Sequence, residues 1–168
     1  MPNHLSTALD RITTALRGLT RPTLRRPARQ APDGTYRGDA TTLPDTTYSP
    51  AVDGDPDPGE IVWAWVPFEE DHTRGKDRPV LVIGRDGDLL IGLQLTSRDH
   101  DRDEHQERMA GREWVDIGSG AWDGRGRPSE VRVNRLLRLE TDQVRREGAV
   151  LPRERYDEVI AAARRHYS

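Results

Sequence analysis

The chain has 168 residues, of which 33% are hydrophobic, and it carries a formal net charge of -3 with no cysteine. This length allows one domain with a tail, and the low apolar share predicts that only part of the chain forms a core. The absence of cysteine excludes disulfides, thiolate metal sites and thiol nucleophiles, and the net charge means that nucleic-acid binding would need a local basic surface. With no long apolar run and no signal-like start, we expect a cytoplasmic protein.

Residues 1–57 are predicted to be an extension outside the folded domain. Leucine and isoleucine recur at helical spacing over about residues 4–19, which predicts a short amphipathic helix. Residues 21–58 contain seven of the twelve prolines and few aliphatic side chains, a composition typical of a linker that cannot offset the entropy of ordering. The extension is therefore expected to be largely disordered, and deletion of residues 1–56 is expected to leave the activity unchanged.

From Gly59 onward, short β-rich runs alternate with turn residues. The predicted strands span residues 60–66, 79–84, 89–95, 113–117 and one or two segments within 130–139, with a polar loop at 68–77 and a charged stretch at 97–111. The chain closes on an apolar stripe that includes Tyr156, Val159 and Ile160, which predicts a helix over residues 152–166. We expect a small, strongly bent sheet or barrel with a C-terminal helix.

Two patterns that could suggest a ligand site do not support one. The run from His100 to His105 has metal-ligand residue types, but a spacing of five does not place both histidines on one helical face. The glycine-rich segment from Gly118 to Gly126 lacks the following helix that a phosphate-binding loop requires, so its glycines indicate turns. The sequence therefore predicts no metal and no cofactor.

Three separated motifs together resemble the MazF/PemK/Kid family of toxins. They are Gly59-Glu60-Ile61-Val62-Trp63, then Gly75-Lys76-Asp77-Arg78-Pro79 leading into an aliphatic run, and then Leu93-Gln94-Leu95-Thr96-Ser97. Their order and spacing match the family pattern, and the similarity continues through Ser129-Glu130-Val131-Arg132 to the final helix. The resemblance covers residues 58–168 and implies a mainly β, SH3-like small barrel of the MazF/Kid/CcdB toxin type with a C-terminal helix.

The resemblance also implies an activity and partners. Members of the family are usually homodimers that cleave single-stranded RNA without a metal, and a small antitoxin protein silences them. By this resemblance Arg78 and Thr96 form the catalytic centre. A guanidinium is a permanent planar cation suited to phosphate oxygens, and a threonine hydroxyl can donate to a non-bridging oxygen. His72, six residues before Arg78, is the candidate proton shuttle, because an imidazole can exchange protons near neutral pH.

Further residues that border this centre are expected to bind RNA. Trp122, in a glycine-rich loop, is either an exposed ring on which a base stacks or an aromatic that closes the loop over the core. The acidic residue that some relatives carry before the late strand falls on Ser129, and the neighbouring Glu130 is the candidate to replace it. The other expected RNA-binding residues are Arg74, Lys76, Ser97, Arg127 and Arg132.

Two other functions stay open. The first is a non-catalytic barrel that binds RNA or a protein partner. Three features favour it: the altered loop, with Thr73 and Arg74 in place of the family's Glu and Gln, the Ser129 position and the N-terminal extension. The second is a toxin that acts on a protein target such as a topoisomerase, as the CcdB group does. The presence of both Arg78 and Thr96 argues against this second alternative.

Overall fold

The computed structural model describes residues 29–30, 35–51, 53–97 and 111–167. The helix predicted over residues 4–19 and the charged run 100–105 lie outside these ranges. Within them, one antiparallel sheet is followed by a C-terminal helix. Within the same ranges, no helix has the length and apolar character needed to cross a membrane.

The sheet contains eight strands that pair in an order different from their order in the chain. The pairing order is β5-β6-β4-β3-β2-β8, while β1 pairs with β3 and β7 pairs with β4. The strands are β1 (Arg29–Gln30), β2 (Glu60–Pro67), β3 (Arg74–Asp86), β4 (Leu89–Ser97), β5 (Trp114–Gly118), β6 (Ser129–Arg132), β7 (Leu137–Glu140) and β8 (Arg145–Val150), and helix α1 is Arg153–Arg164. The predicted fold class is confirmed, because the sheet curls into a half-barrel that α1 follows.

Two features of the sheet differ from the sequence prediction. β3 begins at Arg74, so the second half of the predicted polar loop is strand. These polar residues pair with the end of β2, from Ala64 to Pro67, and backbone pairing in the hairpin prevails over their low β-propensity. β8 was not predicted; it pairs with the first half of β2, with Arg145 and Arg146 opposite Trp63 and Val62.

The sheet buries apolar side chains on both of its faces. Neighbouring residues of β3 alternate between two clusters, with Leu81 in one and Val80 in the other. The first cluster includes Tyr156, Val159 and Ile160 of α1. Burial on both faces explains why the centre of β3 is apolar at every position. The second cluster contains Val62, Ala64, Val66, Val80, Val82, Leu90, Leu137 and Leu139.

Residues 35–51, here called the N-terminal strap, pack on the domain. Ala40 forms a β-bridge with Leu136 and is buried. The Tyr48 hydroxyl donates to the carbonyl of Leu151 at 2.9 Å, and the Tyr156 hydroxyl of α1 donates to the carbonyl of Thr46 at 2.8 Å. The linker prediction is therefore wrong for these residues. A few apolar and aromatic side chains dock the strap, and a compositional average over the segment does not reveal them.

Two glycines of the domain leave room for the strap. A Cβ on Gly84 would lie 2.5 Å from the Pro44 side chain, and a Cβ on Gly59 would lie 2.5 Å from the Tyr48 ring. Gly59 also has a φ of +105°, a backbone conformation that residues other than glycine rarely adopt. The strap and the sheet therefore fit each other at close range.

Candidate active site

Strands β3 and β4 separate beside the two residues predicted to be catalytic. Their last paired residues are Val80 and Gln94, and from Leu95 onward β4 pairs with β6. Arg78 and Thr96 each lie two residues beyond that last pair, so their side chains share the face of Val80 and Gln94. The fold thus places a guanidinium and a hydroxyl on one face, where two strands part.

A carboxylate joins them from the neighbouring strand. Glu130 lies directly opposite Thr96, and Asp116 lies directly opposite Glu130. Side chains directly opposite one another in an antiparallel pair share a face, with Cβ atoms about 4.5–5.5 Å apart. Arg78, Thr96 and Glu130 are all half-buried. These three residues, here called the central row, bring a cation, a hydroxyl and a carboxylate to one surface.

A strip of positive charge leads from the central row toward the tip of the β2–β3 hairpin. Arg74, Lys76 and Arg78 occupy alternate positions of β3, so they share a face at intervals of roughly 6.7 Å. The Arg74 guanidinium carbon lies 5.8 Å from the centre of the Phe68 ring, and the Lys76 ammonium nitrogen lies 5.9 Å from it. We call Arg74, Lys76 and Phe68 the basic strip. Phe68 was missed in the sequence, where it stands alone in a polar loop.

His72 lies in the turn at the hairpin tip, and the fold does not bring it to the central row. It is exposed and lies two residues before Arg74, the first residue of β3. The strand segment from Arg74 to Arg78 alone spans about 13 Å. Its ring instead contacts the Tyr36 ring of the N-terminal strap edge to face, with centroids 5.0 Å apart and planes at 87°. The geometry therefore favours Glu130 over His72 as the proton acceptor beside Arg78.

The expectation that Trp122 is an exposed ring is wrong. Trp122 is only 6% exposed, and its indole Nε1 donates a hydrogen bond to the Ser129 hydroxyl at 3.1 Å. Ser129 is itself buried. Trp122 closes its loop over the core, which was the alternative interpretation, and neither its ring nor the Ser129 hydroxyl is exposed at the surface.

Three other expected RNA-binding residues also make contacts within the protein. Arg127 forms an ion pair with Asp123 at 2.9 Å. Ser97 is half-buried and pairs with Ser129 across β4 and β6. Arg132 is buried, and its guanidinium donates to both carboxylate oxygens of Glu69, at 2.9 and 3.2 Å. Arg132 therefore holds the hairpin loop in place and is not presented as a surface cation.

Replacing Glu69 with glutamine is expected to destabilise the fold by about 1 kcal/mol at neutral pH, a modest figure because this ion pair is partly exposed. Hydrogen bonds from Arg132 hold the pKa of the Glu69 carboxyl below its usual range. A depressed pKa adds stability above the unfolded pKa, about 4.3, that is lost as the pH falls through the folded pKa. Urea unfolding should therefore show that the free energies of unfolding of the two proteins converge at acidic pH. A difference that is the same at pH 7 and at about pH 3 would contradict this assignment.

Trp114 is a second aromatic that the sequence reasoning missed. It is half-buried and lies opposite Arg132 in the β5–β6 ladder, two residues from Asp116, so it shares the face of the central row. Its indole Nε1 is buried and has no hydrogen-bond partner within the part of the chain that the structure describes. No signal other than the β-alternation of residues 113–117 could have identified it.

The described residues contain no group of three or more His, Cys, Asp or Glu side chains that could hold a metal ion.

Comparison with known proteins agrees with the motifs. Residues 57–167 match the family model described as PemK-like, MazF-like toxin of type II toxin-antitoxin systems. No curated protein matches the chain. The matched range contains β2 to β8, α1 and the whole central row, whereas the N-terminal strap precedes it. The resemblance seen in the sequence is thereby confirmed, and this chain belongs to the PemK-like, MazF-like toxins of type II toxin-antitoxin systems.

Proposed function

We propose that this toxin is a metal-independent endoribonuclease that cleaves single-stranded RNA. The observation that carries the proposal is the separation of β3 and β4 beyond Val80 and Gln94, which leaves Arg78 and Thr96 on one face with Glu130 opposite Thr96. RNA cleavage by its own 2′-hydroxyl needs a proton acceptor and positive charge against the phosphorane. The central row supplies both kinds of group.

Each residue of the central row has a distinct role in this mechanism. Glu130 accepts the proton of the 2′-hydroxyl as the 2′-oxygen attacks phosphorus, and Arg78 stabilises the developing negative charge on the equatorial oxygens. Thr96 donates a hydrogen bond to a non-bridging oxygen. The bond from phosphorus to the 5′-oxygen then breaks, and a proton from solvent completes the 5′-hydroxyl. The products are a 2′,3′-cyclic phosphate and a 5′-hydroxyl end.

The surface around the central row suits a single strand. Arg74 and Lys76 supply positive charge for the phosphates that flank the scissile one. Phe68, which contacts Arg74 and Lys76, and Trp114, which shares the face of Glu130, are aromatic rings on which bases can stack, each worth about 1–3 kcal/mol. We propose a homodimer as the active form, a cognate antitoxin protein as its inhibitor and the cytoplasm as its location.

Incubation of the full chain with a long unstructured RNA in EDTA tests the proposal. We expect fragments that carry cyclic-phosphate and 5′-hydroxyl ends, formed without a metal. Intact RNA that still binds the protein would favour the non-catalytic barrel. A protein that neither binds nor cleaves RNA would favour a toxin with a protein target.

Replacing Glu130 with glutamine should lower the cleavage rate by about 10²–10⁴-fold, because the amide cannot accept the proton. The matched control, His72→Gln, should cleave at the rate of the unmodified protein when the protein is saturating, where a change in RNA affinity has no effect. Single-turnover rates of all three proteins between about pH 5 and 8 would separate the two assignments, since a pH dependence caused by the imidazole must disappear when His72 is replaced. A limb in the profile that disappears in His72→Gln would assign the proton transfer to His72 instead.

A further inference from the structure

The N-terminal strap reaches the hairpin that carries the basic strip. The strap lies outside the residues that match the toxin family, which begin at residue 57. At the hairpin tip, residues 67–74, the Tyr36 ring of the strap contacts the His72 ring. A second segment from the N-terminal side, β1, pairs with the same hairpin through Arg74 and Gly75. The hairpin is therefore held from outside its own two strands.

A buried arginine joins the strap to the base of the hairpin tip. The Arg135 guanidinium donates through Nε to the Asp39 carboxylate at 3.0 Å and through Nη1 to the carbonyl of Pro67 at 2.8 Å. Arg135 is only 4% exposed, so its charge depends on these partners. Pro67 is the last residue of β2, directly before Phe68. The Asp39 carboxylate therefore helps, through the Arg135 side chain, to fix the position of Pro67, where the hairpin tip begins.

Tyr36 completes the connection. Its hydroxyl donates to the Asp39 carboxylate at 2.6 Å and accepts a hydrogen bond from the backbone N–H of Arg138 at 3.3 Å. Burial and the bond to Asp39 raise the pKa of the Tyr36 hydroxyl. The ring is therefore fixed at one end to the sheet and presents its other side to His72.

We infer that Tyr36 and Asp39 are positioning residues that hold the hairpin tip so that the basic strip is oriented for RNA. This inference rests on the proposed function and extends it to a segment that the family match does not include. A polar hairpin tip loses conformational entropy when it binds a ligand, and contacts that fix it beforehand lower this cost. The central row is held by strand pairing, Arg78 with Ala64 of β2 and Thr96 with Glu130 of β6, so loss of the strap contacts should affect binding more than turnover.

The test compares the same substitution at two tyrosines of the strap. Tyr36→Leu removes the contacts with Asp39 and His72. Tyr48→Leu instead removes the hydrogen bond from the Tyr48 hydroxyl to the Leu151 carbonyl, at the other end of the strap. In the full chain, Tyr36→Leu should raise KM for RNA about tenfold and leave kcat unchanged. Tyr48→Leu should lower thermal stability and leave KM unchanged. Tyr36→Phe, which keeps the ring, serves as the milder variant if Tyr36→Leu does not fold.

Two measurements make the result independent of cleavage. The affinity for a short 2′-O-methyl RNA, which cannot be cleaved, should fall in Tyr36→Leu, and amide hydrogen exchange should accelerate over residues 67–74. If the unmodified protein binds this RNA but cleaves no substrate, the proposed function fails while these measurements still support the positioning role. Cleavage with an unchanged KM in Tyr36→Leu, or an equal rise of KM in both leucine variants, would overturn the inference.

Discussion

Replacing Arg78 with alanine is expected to reduce RNA cleavage by at least about 10²–10³-fold, the usual cost of removing one preorganised donor to a transition-state oxyanion. Arg78 lies two residues beyond the last pair of β3 and β4, on the face that also presents Thr96 and Glu130. Its positive charge opposes the charge that develops on phosphorus. The loss should therefore appear in the single-turnover rate and not in the fold.

The matched control for this prediction is Arg78→Lys. Lysine keeps the positive charge but lacks the planar fork that binds two phosphate oxygens, so its rate should lie between those of the alanine variant and the unmodified protein. Thermal unfolding of all three proteins should give similar midpoints. Cleavage by Arg78→Ala at the unmodified rate would remove Arg78 from the catalytic centre and with it the main support for the mechanism.

Deletion of residues 1–56 is expected to unfold the domain or to lower its stability by several kcal/mol. The deletion leaves the whole range that matches the family, residues 57–167, but it removes the N-terminal strap. Arg135 would lose its hydrogen bonds to the Asp39 carboxylate, and loss of hydrogen bonds to a charged group costs about 1.5–3 kcal/mol. A typical domain is stable by only about 5–15 kcal/mol. Leu136 and Tyr156 would lose their contacts with the strap as well.

The control for this deletion is removal of residues 1–28 alone, which keeps β1 and the contacts of the strap that the structure describes. Its melting temperature should stay close to that of the full chain, whereas the 1–56 deletion should melt far lower or fail to fold. Chemical denaturation of the three proteins would measure the difference. Equal stability of the two truncated proteins would show that the strap contributes nothing to the domain, as the linker interpretation of the sequence assumed.

The fold class could be predicted from the sequence, and Arg78 and Thr96 could be proposed from it, because their signals are local. β-strand patterns and turn residues alternate along the chain, and one apolar stripe predicts helix α1. Arg78 and Thr96 each stand beside an aliphatic strand within a short motif. Such patterns depend on neighbours in the chain, which a single sequence displays directly.

The roles of the aromatic residues could not be predicted in the same way. Trp122 and Trp114 both follow turn residues, yet Trp122 is buried against Ser129 while Trp114 faces the side of the central row. Exposure depends on which distant residues pack over a ring, and that information is spread along the chain. Arg132 likewise resembled a surface cation until its pairing with Glu69, distant in sequence, was known.

The sequence by itself determined the family, the mainly β barrel with its C-terminal helix, and the positions of Arg78 and Thr96, because motif spacing and periodicity are properties of neighbouring residues. Only the tertiary structure decided that Glu130 faces Thr96, that His72 lies away from Arg78, and that residues 35–51 belong to the folded domain. Strand register and docking bring together groups far apart in the chain. The contacts that stabilise these arrangements join residues distant in sequence, so no local sequence pattern predicts them.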